Sequence, residues 1–201
     1  MTASLGWRTH SGWAVLVAVG GSVAAPTVLS RQRVDLLTPP LPTQPYHAAV
    51  DDKLTLEAAA ALVRKVEEAA ASRAAAATEA AIADLAKAGH QVDAVGLVAG
   101  ERRLPSDLAK ILSAHPLLHA AEGDLYEQAV IEGATRVGLS VSTAPAKGTF
   151  EHAAIALGVT ADALAAALAV AGKAAGPPWQ KDHREAAASA LAARAGAARL
   201  G

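Results

Sequence analysis

The chain has 201 residues, with 18 Lys and Arg against 19 Asp and Glu, a formal net charge of −1, and no cysteine. Near-neutrality excludes a global electrostatic footprint for nucleic acid and leaves only a local basic strip, for which Arg31, Arg33, Arg102 and Arg103 are the candidates. The missing thiols exclude disulfides, thiolate catalysis and Cys-ligated zinc, and they fit a reducing, cytoplasmic setting.

A chain of this length suits one domain, read here as a single α/β unit over 1–201 with a helical C-terminal part at 149–198. Alanine is heavily used while Phe, Tyr and Met are scarce, so helices can pack closely. Trp7, Trp13 and Trp179 supply much of the aromatic area. Residues 8–11 form a small polar knot carrying His10, which leads into a β-branched run at 12–19. A second run follows at 27–37, after a Gly/Pro connection, and the two are expected to pair as an antiparallel hairpin. In the second run, Val28 and Val34 alternate with Arg31, Arg33 and Asp35, as in a strand with one wet face near a sheet edge. The apolar stretch 12–29 is broken by Gly20, Gly21, Ser22 and Pro26 and falls short of the ~20 residues a spanning helix needs, so no membrane association is expected. Arg8 before it also fits the charged start of a signal peptide, but the alternation reads better as strands.

Four prolines between Thr38 and His47 exclude helix and inner strand, and they indicate an extended connector ending in Tyr46 and His47. From Thr55 to Lys87 the residues favour helix, with Thr55 as N-cap, Gly89 as stop and an apolar stripe through Leu56, Ala59, Val63, Val66 and Ala70. The stripe weakens at 71–77, which suggests a bend or two stacked helices. A short buried parallel strand is expected at 92–100, helices at 104–114 and 119–137, and a last strand at 139–143. Helices at 149–157, 160–171 and 181–198 complete the chain, with 176–179 as a rigid break and a tail that frays after Ala192.

Three constellations carry candidate chemistry. His115, His119 and Glu122 have spacings that place them on one helix face, suited either to a divalent metal or to a capped helix start. Asp182 and Glu185 open the last helix, and Glu101 follows the central strand; together they supply carboxylates for a hard cation, or simply complement helix dipoles. His10 and Ser11 are adjacent, but neighbours on a strand face opposite ways and no nucleophile elbow is present.

Taken in order, Arg8 to Val15, the segment 94–101 ending in Glu101, and the helix start Lys181-Asp182-His183-Arg184-Glu185 resemble the ribonuclease H-like superfamily, nearest to its RuvC-like Holliday-junction resolvases. The resemblance implies an α/β fold with a mixed sheet of four or five strands, opened by an N-terminal hairpin and flanked by helices. It implies Glu101, Asp182 and Glu185 as ligands of Mg²⁺ or Mn²⁺ that position water for phosphodiester hydrolysis, with nucleic acid as partner. The superfamily's first-strand aspartate has no counterpart in 3–12, and the third strand of its meander is replaced by the proline-rich connector. The expectation is therefore a ribonuclease H-like protein with an altered or degenerate site. His10, Glu122 and Asp182 would be its catalytic candidates, and Glu101, His119, Glu122, Asp182 and Glu185 its metal candidates, gathered in one cleft. The competing expectation is a non-catalytic interaction module, a homodimer packed through the Ala-rich helix.

Overall fold

The computed structural model describes residues 1–197. Its elements are β1 (Thr2–His10), β2 (Trp13–Gly21), β3 (Pro26–Asp35), α1 (Pro45–Asp51), α2 (Leu56–Lys87), β4 (Gln91–Ala99), α3 (Leu108–Leu112), α4 (His115–Arg136), β5 (Val141–Pro145), α5 (Thr149–Leu157), α6 (Ala161–Ala175) and α7 (Lys181–Ala197). The five strands form one sheet in the order β3-β2-β1-β4-β5. The first three make an antiparallel meander, while β4 and β5 run parallel to β1.

The expected mixed sheet is present, and so is the hairpin, as β2 and β3, with β3 at the sheet edge. Two expectations for the N-terminal part are corrected. The residues read as a polar knot end a full strand, β1, so the meander is complete and the proline-rich connector replaces none of its strands. Strand β1 lies between β2 and β4 and is covered on both faces. Its residues from Ala3 to Leu5 are all buried and so lack the alternation of a half-wet strand. The connector is not extended but turns at Pro39 and Pro40, where the Leu41 N–H donates to the Thr38 carbonyl at 3.3 Å, and it ends at Gln44. Pro45 then starts α1, where a proline suits the first helical position because it lacks only a donor that would be orphaned anyway. Tyr46 and His47 are therefore helical.

The two faces of the sheet bury different partners. Leu5, Trp7, Leu16 and Leu97 pack with Val63, Val66, Leu125 and Tyr126 from α2 and α4. Val15, Val17 and Val19 pack with Leu164, Leu168, Ala187 and Leu191 from α6 and α7. Helix α2 runs unbroken through 71–77, where a bend was expected. Its small residues there admit α4: a Cβ on Gly133 would lie 2.7 Å from the Ala74 Cβ and 2.9 Å from the Ala71 carbonyl. Thr55 caps α2 by accepting the Ala58 N–H at 3.2 Å. Helix α3 is much shorter than the 104–114 expected, and α4 begins at His115 rather than at 119. The tail expected to fray after Ala192 continues as helix to Ala197, and the rest lies outside the described residues. No single described helix is long and apolar enough to cross a membrane.

Gly6 on β1 and Gly96 on β4 are register partners. A Cβ on Gly6 would overlap the Ala186 carbonyl, and one on Gly96 the Ser189 carbonyl, so the backbone of α7 rests directly on the sheet. Gly96→Ala is expected to cost about 2–3 kcal/mol through overpacking. Urea denaturation checks this, and a loss under about 0.5 kcal/mol, the range of an ordinary surface change, would mean that α7 shifts freely.

Candidate functional site

Alternation along β1 decides what meets α7. Leu5 and Trp7 point to the α2/α4 side, so Gly6, Arg8 and His10 point to the other. The contacts then run in step: Gly6 against Ala186, Arg8 against Glu185 and His10 against Asp182. Arg8 Nε lies 3.3 Å from Glu185 Oε2, an ion pair whose angles fall short of a hydrogen bond. Lys181 Nζ approaches the other oxygen of Glu185 at 3.6 Å. His10 Nε2 is 2.9 Å from Asp182 Oδ2, and its ring stacks on Trp13 at 4.2 Å. The Arg33 guanidinium covers the Trp13 ring at 4.0 Å. Ser11 sits in the β1–β2 turn, and no hydrogen bond among the described residues joins it to His10.

Helix α4 presents two buried carboxylates at this end of the sheet. Glu127 accepts from the Gly100 N–H at 3.1 Å and from Arg102 Nη1 at 2.5 Å. Arg102 can lie across α4 because position 123 is glycine; a Cβ there would meet its Nη2 at 2.6 Å. Glu122, 2% exposed, accepts the N–H groups of Tyr46 and His47 at 2.8 and 3.1 Å, and its Oε1 is 3.3 Å from His47 Nδ1. It therefore caps the start of α1, a role that the expected helix-start reading of Glu122 missed. Burial pushes the Glu122 carboxyl above its ordinary value, and the hydrogen bonds from His47 and Tyr46 pull it back. Burial, then the Glu122 charge, pushes the Tyr126 phenol up as well. Its hydroxyl donates to the Thr43 carbonyl at 2.7 Å, anchoring the connector.

Of the expected site residues, His10, His119 and Glu122 line one polar cavity of about 220 Å³ together with Arg8, Arg102 and Glu127. Asp182 joins them through His10. Glu185 is nearby but ion-paired. Glu101 is exposed and lines an adjoining open cleft with Arg103 and Asp124, which shares Arg102 and Glu127 with this cavity. Reading the sequence missed Glu127 and His47. Glu127 had a signal in Arg102, a guanidinium that needs a carboxylate, and His47 had one in its neighbour Tyr46. Neither signal gives the distance between the elements.

A hard divalent cation needs free carboxylate oxygens converging on one point. Here Glu185 is ion-paired to Arg8 and Lys181, Asp182 is paired with His10, and Glu101 stands exposed in the adjoining cleft. These residues do not fit the Mg²⁺ or Mn²⁺ centre that the sequence resemblance implied.

The meander, the two parallel strands and the helix laid across β1 and β4 define a ribonuclease H-like fold. Among solved structures, the chain is similar to Thermus thermophilus RuvC, with a TM-score of 0.55 and 15% identity, covering 99% of this chain and 96% of that one. It is also similar to T. thermophilus RuvC in complex with a Holliday junction substrate, with a TM-score of 0.54 and 15% identity over 100% and 97% of the two chains. No protein-family model matches the sequence, and no curated relative does.

His183 steadies the start of α7, its Nδ1 accepting the Gln180 N–H at 3.3 Å. Burial, then the charge of Arg31, holds its imidazole below the ordinary value of 6.5, while Asp182 pulls the other way. A lowered folded value means the unfolded chain takes the proton first, so stability is complete above pH 6.5 and falls as pH drops through the folded value. His183→Phe is expected to flatten that acid-side slope in urea titrations from pH 7.5 to 5. An unchanged slope would assign it to other groups.

Proposed function

We propose that this protein binds nucleic acid through a ribonuclease H-like fold and does not hydrolyse it through a Mg²⁺ or Mn²⁺ centre. The observation that carries the proposal is Arg8, a cation on the central strand ion-paired to Glu185 of α7. A guanidinium there supplies positive charge that a metal ion would otherwise bring, and it occupies the carboxylate that the metal would need. The fold it shares with a RuvC bound to a Holliday junction supports a nucleic-acid partner. So does a cleft of about 490 Å³ lined by Trp13, Arg31, Arg33, Asp182 and His183, where the Arg33 guanidinium lies over the Trp13 ring.

The test is a four-way DNA junction titrated with protein at several salt concentrations, with and without Mg²⁺ or Mn²⁺. Binding that weakens with salt, and no cleavage, is expected. The double variant R31A/R33A should weaken binding and lower the slope of log K against log salt by about 0.9 for each phosphate that the two arginines neutralise. Cleavage by the wild-type protein, or no binding at low salt, would overturn the proposal. Arg8→Asp adds a direct check on the ion pair, since Mg²⁺ should then raise the melting temperature of the variant and leave the wild type unchanged.

The reading as a homodimerising module rests on a different observation. The Ala-rich stripe of α2 is already occupied by α4, but Ile155 on α5 and Val170 on α6 stand 82% and 72% exposed. Light scattering during size exclusion separates the two, because a strict monomer removes this reading.

A further inference from the structure

Apart from the carboxylates beside α7, the structure brings together three imidazoles from two helices. We infer that His47 of α1 with His115 and His119 of α4 forms a binding site for a borderline divalent transition metal of the Zn²⁺ class. One ligand atom from each ring lies within 4.8 Å of the others. The ring centroids are 5.4, 4.7 and 4.5 Å apart, so the three rings are mutual neighbours. Zn–N bonds of about 2.0–2.1 Å need only small side-chain rotations from this arrangement.

Two further observations point to a ligand. His47 Nδ1 lies 3.3 Å from Glu122 Oε1, and its Nε2 is buried without a hydrogen-bond partner. A ring that donates from Nδ1 to a carboxylate keeps its Nε2 lone pair free. This is the tautomer and orientation of a metal-ligating histidine backed by a carboxylate. The second observation is Glu122 itself. It is fixed by the Tyr46 and His47 N–H groups, so it can hold the His47 ring without turning towards a metal. The spacing of His115 and His119 sets both on one face of the first turns of α4, and α1 brings the third ligand across. Imidazole nitrogens select Zn²⁺, Co²⁺ or Ni²⁺ over Mg²⁺. Three protein ligands leave a fourth position open, and His119 borders the cavity that also holds Arg8 and Arg102.

The experiment uses tag-free, chelator-stripped, full-length protein. Zn²⁺ and Co²⁺ should bind at one equivalent and raise the melting temperature, Co²⁺ should give the visible absorption of a four-coordinate nitrogen site, and Mg²⁺ should do neither. His115 and His119 are exposed, so H115A and H119A should fold normally and lose the Co²⁺ absorption. Glu122→Gln should keep the ligands but weaken Zn²⁺ binding about 10- to 100-fold. A wild-type protein without Co²⁺ absorption, or absorption that persists in the H115A/H119A double variant, would overturn the assignment. The result is independent of whether the protein binds a DNA junction.

Discussion

Everything at the functional end of this molecule depends on how closely α7 can approach the sheet. Two paired strands normally hold a helix a full side-chain layer away, because side chains from both surfaces fill the gap. Here β1 and β4 each place a glycine in register, and the small residues of α7 lie above them. The helix backbone comes down into the trough. Its first turns are then fixed over the ends of β1 and β4, because a helix seated on backbone has little freedom to slide. Asp182 and Glu185 come within reach of a strand only for this reason.

That seating determines the electrostatics. Strand β1 carries Arg8 and His10 on the face that α7 covers, so each carboxylate of the helix meets a base instead of another acid. Burying a lone carboxylate costs several kcal/mol, and an opposite charge must recover it. A sequence with an acid at position 8 would leave Glu185 facing a like charge and would need a cation from solvent. With arginine there, the charge is balanced within the chain. Arg102 and Glu127 repeat the arrangement on the α4 side, where Gly123 gives the guanidinium room. The two pairs make the cavity polar but nearly neutral, consistent with the net charge of the whole chain.

The sequence shows these features unevenly, and the reasons are physical. Strand β3 was legible as an edge strand from its mixed polar and apolar residues, but the alternation read through Val28 and Val34 fails, because a register shift at Ala18/Val19 puts Val28 on the α7 side and Val34 on the α2/α4 side. The ends of α2 were legible from its cap and its stop, whereas its unbroken course through 71–77 was not, because alanines weaken the apolar stripe there. Strand β1 was not, since both of its faces are buried and Ala3, Ser4 and Gly6 are small for packing reasons that periodicity does not reveal. At the site, the shared face of His115, His119 and Glu122 follows from helical spacing alone, whereas His47 does not. It lies 75 residues from Glu122, and only the tertiary packing of α1 on α4 brings them together. The pairing of Arg8 with Glu185 is likewise long-range, and single-residue chemistry could not separate a free acid from a neutralised one.

Glu122 and Glu185 lie near the same end of the sheet and differ in what holds them. Glu185 meets a guanidinium, which is always charged and balances the carboxylate without a hydrogen bond to it. Glu122 meets two backbone N–H groups and an imidazole, none of which carries a fixed charge. Burial without a full countercharge is why its carboxyl is pushed up. Such a carboxylate gains by having positive charge nearby, and the imidazole can transmit it, because a ring polarised through Nε2 donates more strongly from Nδ1. The chain therefore balances charge at the oxygen-rich position with its own arginine. It leaves electrostatic demand one helix away, where the available donors are nitrogen and the ions they prefer are softer.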